Sequence, residues 1–166
     1  MPAFARAADD PATRPVKLRP PRAHELPALT GLVLRSKAHW GYDHTFIEAC
    51  RAELSLTPET LTGTRCRVAE RQGRPVGVAQ LALHGEEAEL LKLFVEPAAL
   101  GTGIGHLLFA WAEAEARTHG ARRLRIESDP AATAFYERMG AIQVGTAPSG
   151  SIPGRMLPLL MRDLGG

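Results

Sequence analysis

The tightest constraint in this chain is a strand that must run through a glycine-rich turn directly into a helix. Leu90-Leu91-Lys92-Leu93-Phe94-Val95 is an apolar run of strand character, and the pattern from about Gly103 to Thr118 is helical. Gly101, Thr102, Gly103, Ile104 and Gly105 stand at the junction. Such a turn leaves several backbone N–H groups without partners at the positive end of a helix dipole. That arrangement suits phosphate or pyrophosphate.

The turn alone does not say which phosphate carrier is meant. A dinucleotide fingerprint needs Gly-x-Gly-x-x-Gly, but here the third glycine comes one residue early, at Gly105, and His106 follows. A P-loop needs Gly-Lys-Ser/Thr after its glycines, and Gly105-His106-Leu107 does not supply it. A plain tight turn is the remaining alternative, although glycines cost helix stability and three of them exceed what a turn requires. On the turn alone, the structural and functional readings stand level.

Composition narrows the class. The chain has 166 residues, room for one domain with a full core, and its 45% hydrophobic and 23% charged content are those of a soluble globular protein. A net charge of +2 gives no general nucleic-acid footprint. Two distant cysteines, Cys50 and Cys66, read as free thiols, and the six histidines show no zinc spacing, so no metal is expected. No apolar run approaches the ~20 residues of a membrane span. The expected setting is cytoplasmic, with no membrane or nucleic-acid partner. Residues 1–15 read as a flexible tail ahead of a single domain over residues 16–166.

The periodicity predicts a short edge strand over Val16–Arg19, a helix over about His24–Lys37, and a second helix capped by Asp43 and running to Leu54. Thr57-Pro58 leads into a turn. A hairpin follows, from Arg65–Glu70 to Val76–Leu83, and then the strand ending at Val95. On the long helix Ile104, Leu107, Leu108 and Trp111 form the expected apolar stripe. Strand Arg123–Glu127 leads to Asp129-Pro130, an N-cap and first-turn proline for a short helix ending at Met139-Gly140. Ala141–Val144 and Met156–Met161 read as the last strands, joined by the loop 148–155.

A second motif lies after the strand 123–127: Asp129-Pro130-Ala131-Ala132-Thr133-Ala134-Phe135-Tyr136-Glu137-Arg138-Met139-Gly140-Ala141. With Val95-Glu96-Pro97 and Leu100-Gly101-Thr102-Gly103-Ile104-Gly105, it resembles the GNAT superfamily of acetyl-CoA-dependent N-acetyltransferases. The family pattern is a strand ending Val-x-Pro, an Arg/Gln-x-x-Gly-x-Gly/Ala turn, and a later Asn-x-x-Ala-x-x-Phe-Tyr-x-x-x-Gly-Phe segment. The element order agrees over residues 16–163. The chain departs at Leu100, where the family usually has Arg or Gln, at Asp129 for the frequent Asn, and at Ala141 for the frequent aromatic.

The resemblance implies an α/β fold with a mixed, mainly antiparallel sheet flanked by helices. It implies acetyl-CoA as co-substrate and a primary amine of a small molecule or peptide as acceptor, attacked directly in a ternary complex. A homodimer is compatible with it. The implied cofactor contacts are Phe94, Val95, Leu100, Gly101, Thr102, Gly103, Ile104, Gly105, His106, Asp129, Ala132, Phe135 and Tyr136. Without a cationic side chain at Leu100, backbone N–H groups carry the pyrophosphate. The alternative implied function is a CoA-binding sensor or a catalytically degenerate copy; an acyl-CoA hydrolase or a transferase of larger acyl groups is a third class.

Amide formation from a thioester needs a neutral amine, oxyanion stabilisation and a proton for the leaving thiolate. Tyr136 occupies the family's thiolate-protonating position; its bland reading is an amphipathic ring packed beside Phe135. Glu87 and Glu89 open the strand ending at Val95 and share a face by its period of two. Glu87 stands where several family members place the base, and the bland reading of both is an exposed strand end. His39, Trp40 and Tyr42 fall where the family shapes its acceptor pocket, where they could equally staple two helices. Arg155, in the loop 148–155, could pair with a substrate carboxylate. Ser149-Gly150-Ser151 lacks the spacing of a hydrolase elbow.

Overall fold

The computed structural model describes residues 14–165; residues 1–13 of the expected tail and Gly166 lie outside the described residues. The strands are β1 (Val16–Arg19), β2 (Arg65–Arg71), β3 (Arg74–His84), β4 (Glu87–Val95), β5 (Arg123–Glu127), β6 (Ile142–Pro148) and β7 (Met156–Asp163). The helices are α1 (Leu26–Ala38), α2 (His44–Leu54), α3 (Pro58–Leu61), α4 (Ile104–Thr118) and α5 (Thr133–Arg138). Among the described residues, the strands form one sheet in the order β1-β2-β3-β4-β5-β7-β6. Only β4 and β5 pair in parallel, because α4 carries the chain back along the sheet between them.

Local chemistry explains most boundaries. Gln72 and Gly73, both at positive φ (53° and 75°), form the two-residue turn that the twist of the β2–β3 hairpin demands. Asp43 accepts from the Phe46 N–H (2.8 Å) and starts α2 as expected. Thr57 caps a one-turn helix, α3, where the sequence suggested only a turn. The apolar stripe of α4 also differs from expectation. Ile104, Leu108, Phe109, Ala112 and Ala116 are buried, while Leu107 is 37% exposed. The buried stripe thus follows the i, i+4, i+8 row, and Leu107 stands at its solvent edge.

The helices cover opposite faces. Leu26, Leu29, Leu32 and Val33 of α1 pack with Cys66, Val68 and Val78, whereas Ile104 and Leu108 of α4 pack with Ala69, Ala79 and Val95. The α4 contact is so close that a Cβ at Gly77 would lie 2.8 Å from Ile104 Cγ2 and 2.9 Å from Leu108 Cδ1. Gly77→Val should therefore overpack this contact and destabilise the fold by ~1–3 kcal/mol, measurable by urea unfolding.

Two irregularities of β4 create the site. Gln80 stands opposite Lys92, while Leu81 stands opposite Leu90, so Leu91 is an extra, bulged residue. The bulge reverses the side-chain alternation. Ala88 and Leu90 face the α4 core before it, Leu93 and Val95 do so after it, and Phe94 joins the α1 core. The β4–β5 pairing also ends there, at Leu90 with Ile126. Residues 91–95 have no β5 partner, and the two strands splay apart.

Candidate active site

The splay opens into a cleft of about 650 Å³, bounded by β4, the turn before α4, the end of β5, α5, the C-terminal end of α1, part of α2 and the loop 149–155. At one end is the glycine turn. Gly101 (φ 76°) and Gly103 (φ 88°) hold left-handed backbone conformations that favour glycine, and a Cβ at either would meet open space. The N–H groups of residues 101–106 donate to no group among the described residues; the first α4 bond is from Leu107 N–H to Gly103 O. Six successive free donors at the positive end of a fifteen-residue helix form an anion cradle. Thr102 does not line the cleft: its hydroxyl donates to Ala99 O (2.6 Å) and accepts from Arg71 Nη1 (3.3 Å). Arg71 thus brings a cation to the turn where Leu100, 38% exposed, has none.

The other expected cofactor contacts converge on this cleft. Phe94, Val95, Leu100 and Ile104 line it, with His106 beside them. Asp129, Ala132, Phe135 and Tyr136 form the opposite wall. Gly105 is needed for a close approach, since a Cβ there would lie 3.3 Å from the Phe135 ring. Tyr136 is 6% exposed and packs against Phe109 and Phe135, yet its hydroxyl has no hydrogen-bond partner among the described residues. Burial, aided by the Asp129 charge, pushes its phenol well above the ordinary tyrosine range. It is a proton-bearing group across neutral pH.

Asp129 is a junction of four segments. Its carboxylate accepts from Lys37 Nζ (2.5 Å), the Tyr42 hydroxyl (2.9 Å) and the Ala131 N–H (2.8 Å). Arg155 donates to the Tyr42 hydroxyl (2.7 Å). Burial would raise the Asp129 pKa, but these donors hold it below its ordinary value. Burial, with Asp129 as acceptor, raises that of Tyr42. The Tyr42 ring stacks on Phe46 at 4.1 Å. Of the four residues expected in an acceptor pocket, Trp40 and Arg155 line the cleft. Tyr42 instead ties the α1–α2 connection to Asp129, just beyond β5, and His39 lies edge-on against Trp40 at 5.1 Å.

Neither Glu87 nor Glu89 lines the cleft, and Glu87 is held by Arg123 (2.9 Å). The carboxylates that do line it, besides Asp129, are Glu127 and Glu53. Glu127 is bonded to Arg125 (2.8 Å), while Glu53 of α2 accepts from the Ser151 hydroxyl and forms no ion pair among the described residues. Sequence reasoning passed over Glu53 because nothing local marks it; its partner is 98 positions away. It also passed over Lys92, a cleft-lining lysine whose isolation in an apolar strand was a visible signal.

Comparison with known proteins decides the family. The sequence profile of the Acetyltransferase (GNAT) family matches residues 34–141. The chain belongs to the GNAT acetyltransferase family. The fold is shared with solved members. PaiA N-acetyltransferase from Thermoplasma acidophilum, in complex with coenzyme A, is 18% identical, with a TM-score of 0.71 over 90% of this chain and 99% of that one. A GCN5-related N-acetyltransferase from Rhodopseudomonas palustris is 23% identical, with a TM-score of 0.72 over 89% and 94%. The ribosomal-protein-S18-alanine N-acetyltransferase from Escherichia coli is 18% identical, with a TM-score of 0.66 over 92% and 96%. No curated protein matches the sequence. This GNAT chain has the mixed, mainly antiparallel sheet expected from its motifs. No helix among the described residues is long and apolar enough to cross a membrane, and none of their His, Cys, Asp and Glu side chains cluster as a metal site.

Proposed function

We propose that this GNAT protein transfers an acetyl group from acetyl-CoA to a primary amine bound in the acceptor half of the cleft. The carrying observation is the run of six free N–H donors at residues 101–106, beside a cleft lined by the buried Tyr136. Coenzyme A in the Thermoplasma relative supports the choice of ligand. Acetyl-CoA, when bound, supplies the electrophilic thioester carbon.

The residues have separable tasks. The N–H groups of 101–106 hold the pyrophosphate, with Arg71 adding positive charge through Thr102. The free edge of residues 91–95 accommodates the pantetheine arm and supplies backbone N–H to the thioester oxygen. Gly105, Phe135 and Ala132 shape the passage, and Leu100 and His106 flank its entrance. The Tyr136 hydroxyl donates its proton to the departing sulfur. The incoming ammonium must first lose a proton; Glu53, lining the acceptor half without a cationic partner, accepts it directly or through water. Glu87 and Glu89 are not among the lining residues, and Glu87 is paired with Arg123.

The test is thiol release from acetyl-CoA in the presence of a panel of primary amines. Amine-dependent release with a stoichiometric acetylated product is the expected result. Tight CoA binding without release on any amine would instead establish a CoA sensor.

A further inference from the structure

The acceptor half contains two opposite charges that form no ion pair among the described residues, although each lies in the other's field. Lys92 is 8% exposed, and its one hydrogen-bond partner among the described residues is the Gln80 side-chain oxygen, 2.9 Å from Nζ. That acceptor is neutral and rigidly held. Gln80 is 1% exposed, and its amide nitrogen donates to Thr60 O (2.8 Å) and Thr64 Oγ1 (3.0 Å), which fixes its oxygen towards Lys92. Lys92 therefore keeps N–H capacity beyond Gln80 and has no carboxylate within ion-pair distance among the described residues. The β4 bulge turned it to this wall, since without Leu91 as an extra residue it would face α4.

Other charges lining the cleft are engaged at Asp129 and Glu127. Lys37 and Arg155 serve Asp129 and Tyr42, and Glu127 holds Arg125. Glu53 is the exception among the carboxylates. Its carboxylate is anchored by the Ser151 hydroxyl, with Gly150 closely packed against it, and it does not pair with Lys92. A buried ammonium without an ion-paired counter-ion is unfavourable, and burial holds Lys92 below the ordinary lysine range even though the Glu53 charge acts in the opposite direction. A carboxylate arriving with the substrate would supply the missing charge and a charge-assisted hydrogen bond.

We propose that Lys92 and Glu53 form a subsite for an acceptor that carries its own carboxylate, an amino-acid-like zwitterion, with the carboxylate on Lys92 Nζ and the ammonium on Glu53. This names the substrate class for the transfer proposed above and rests on that reading. The amine then lies between Glu53 and the free edge of β4, and simple alkylamines lose one of two anchoring charges. Lys92 is the specificity-determining residue, and Gln80 positions it.

The test is calorimetric titration of the CoA-saturated protein with common α-amino acids and with the amines left by their decarboxylation. At least one amino acid should bind about tenfold or more tightly than its decarboxylated counterpart. Lys92→Met should erase that margin and Lys92→Arg should keep part of it, with CoA affinity unchanged within about twofold as the check on folding. Equal or tighter binding of the decarboxylated amines throughout, no binding of any amino acid, or an unaltered margin in Lys92→Met would each overturn the proposal. Thiol release with amines but no carboxylate margin would leave the transferase standing and remove the zwitterion subsite. A margin without thiol release would do the reverse.

Discussion

Gly103→Glu should weaken CoA binding by ~100-fold or more, measured by titration of CoA into the purified variant. Two effects combine at this position. The left-handed backbone there (φ 88°) costs a non-glycine residue ~1–2 kcal/mol. A carboxylate placed among the free N–H groups of residues 101–106 would also occupy the donors proposed for the pyrophosphate and repel it. At about 4 Å and an effective dielectric near 20, each like-charge pair is worth ~4 kcal/mol before screening. Gly103→Ala separates the terms: a Cβ there meets nothing within 4 Å, so only the backbone strain should appear. If Gly103→Glu bound CoA as well as the parent, the pyrophosphate would have to lie elsewhere.

Tyr136→Phe should lower kcat by ~100-fold while changing KM for acetyl-CoA little, which is the signature of a lost general acid. The hydroxyl has no hydrogen-bond partner among the described residues, so its removal orphans nothing, and the ring keeps its packing on Phe109 and Phe135. Stability should therefore change by less than ~1 kcal/mol. A tyrosine that only packs its ring would retain turnover as well as stability in the variant. The pH dependence has a definite sign. Burial, reinforced by Asp129, raises the phenol above its ordinary value, so the acid stays protonated as pH rises through 8 and 9. The parent should show no basic limb from this group below about pH 10. A kcat that is the same in both proteins across pH would remove Tyr136 from the chemistry.

Where a feature depends on neighbours in sequence, it was legible beforehand. Asp43 and Asp129 were read as caps, and both accept the expected N–H groups two or three residues on. The strand ending at Val95, the glycine turn and the long helix follow each other as their patterns dictate. The motif spacing that marked the family acts through the same short segment, because helix-terminus donors and left-handed glycines are local properties. The side chains lining the acceptor half were much less legible. Glu87 and Glu89 looked suitable because strand alternation placed them on one face, but alternation says nothing about where a cleft begins along a strand. Tyr42 was read as either a ligand contact or a staple of two helices, and the fold bonds it to Asp129, 87 positions away, a partner that neither reading named.

The chain's own order of residues thus specified the elements, their caps and the anion cradle, since each rests on backbone geometry within a few residues. Tertiary structure decided which charges meet. The Leu91 bulge appears only when β4 is aligned with β3, and it alone turns Lys92 towards the acceptor side. The splay appears only when β5 pairs with the first part of β4 and no further. Glu53 of α2 meets Ser151, 98 positions later, only in the folded chain, and both line the cleft. Such contacts are paid for by burial of the whole sheet, and no short window of sequence carries that energy.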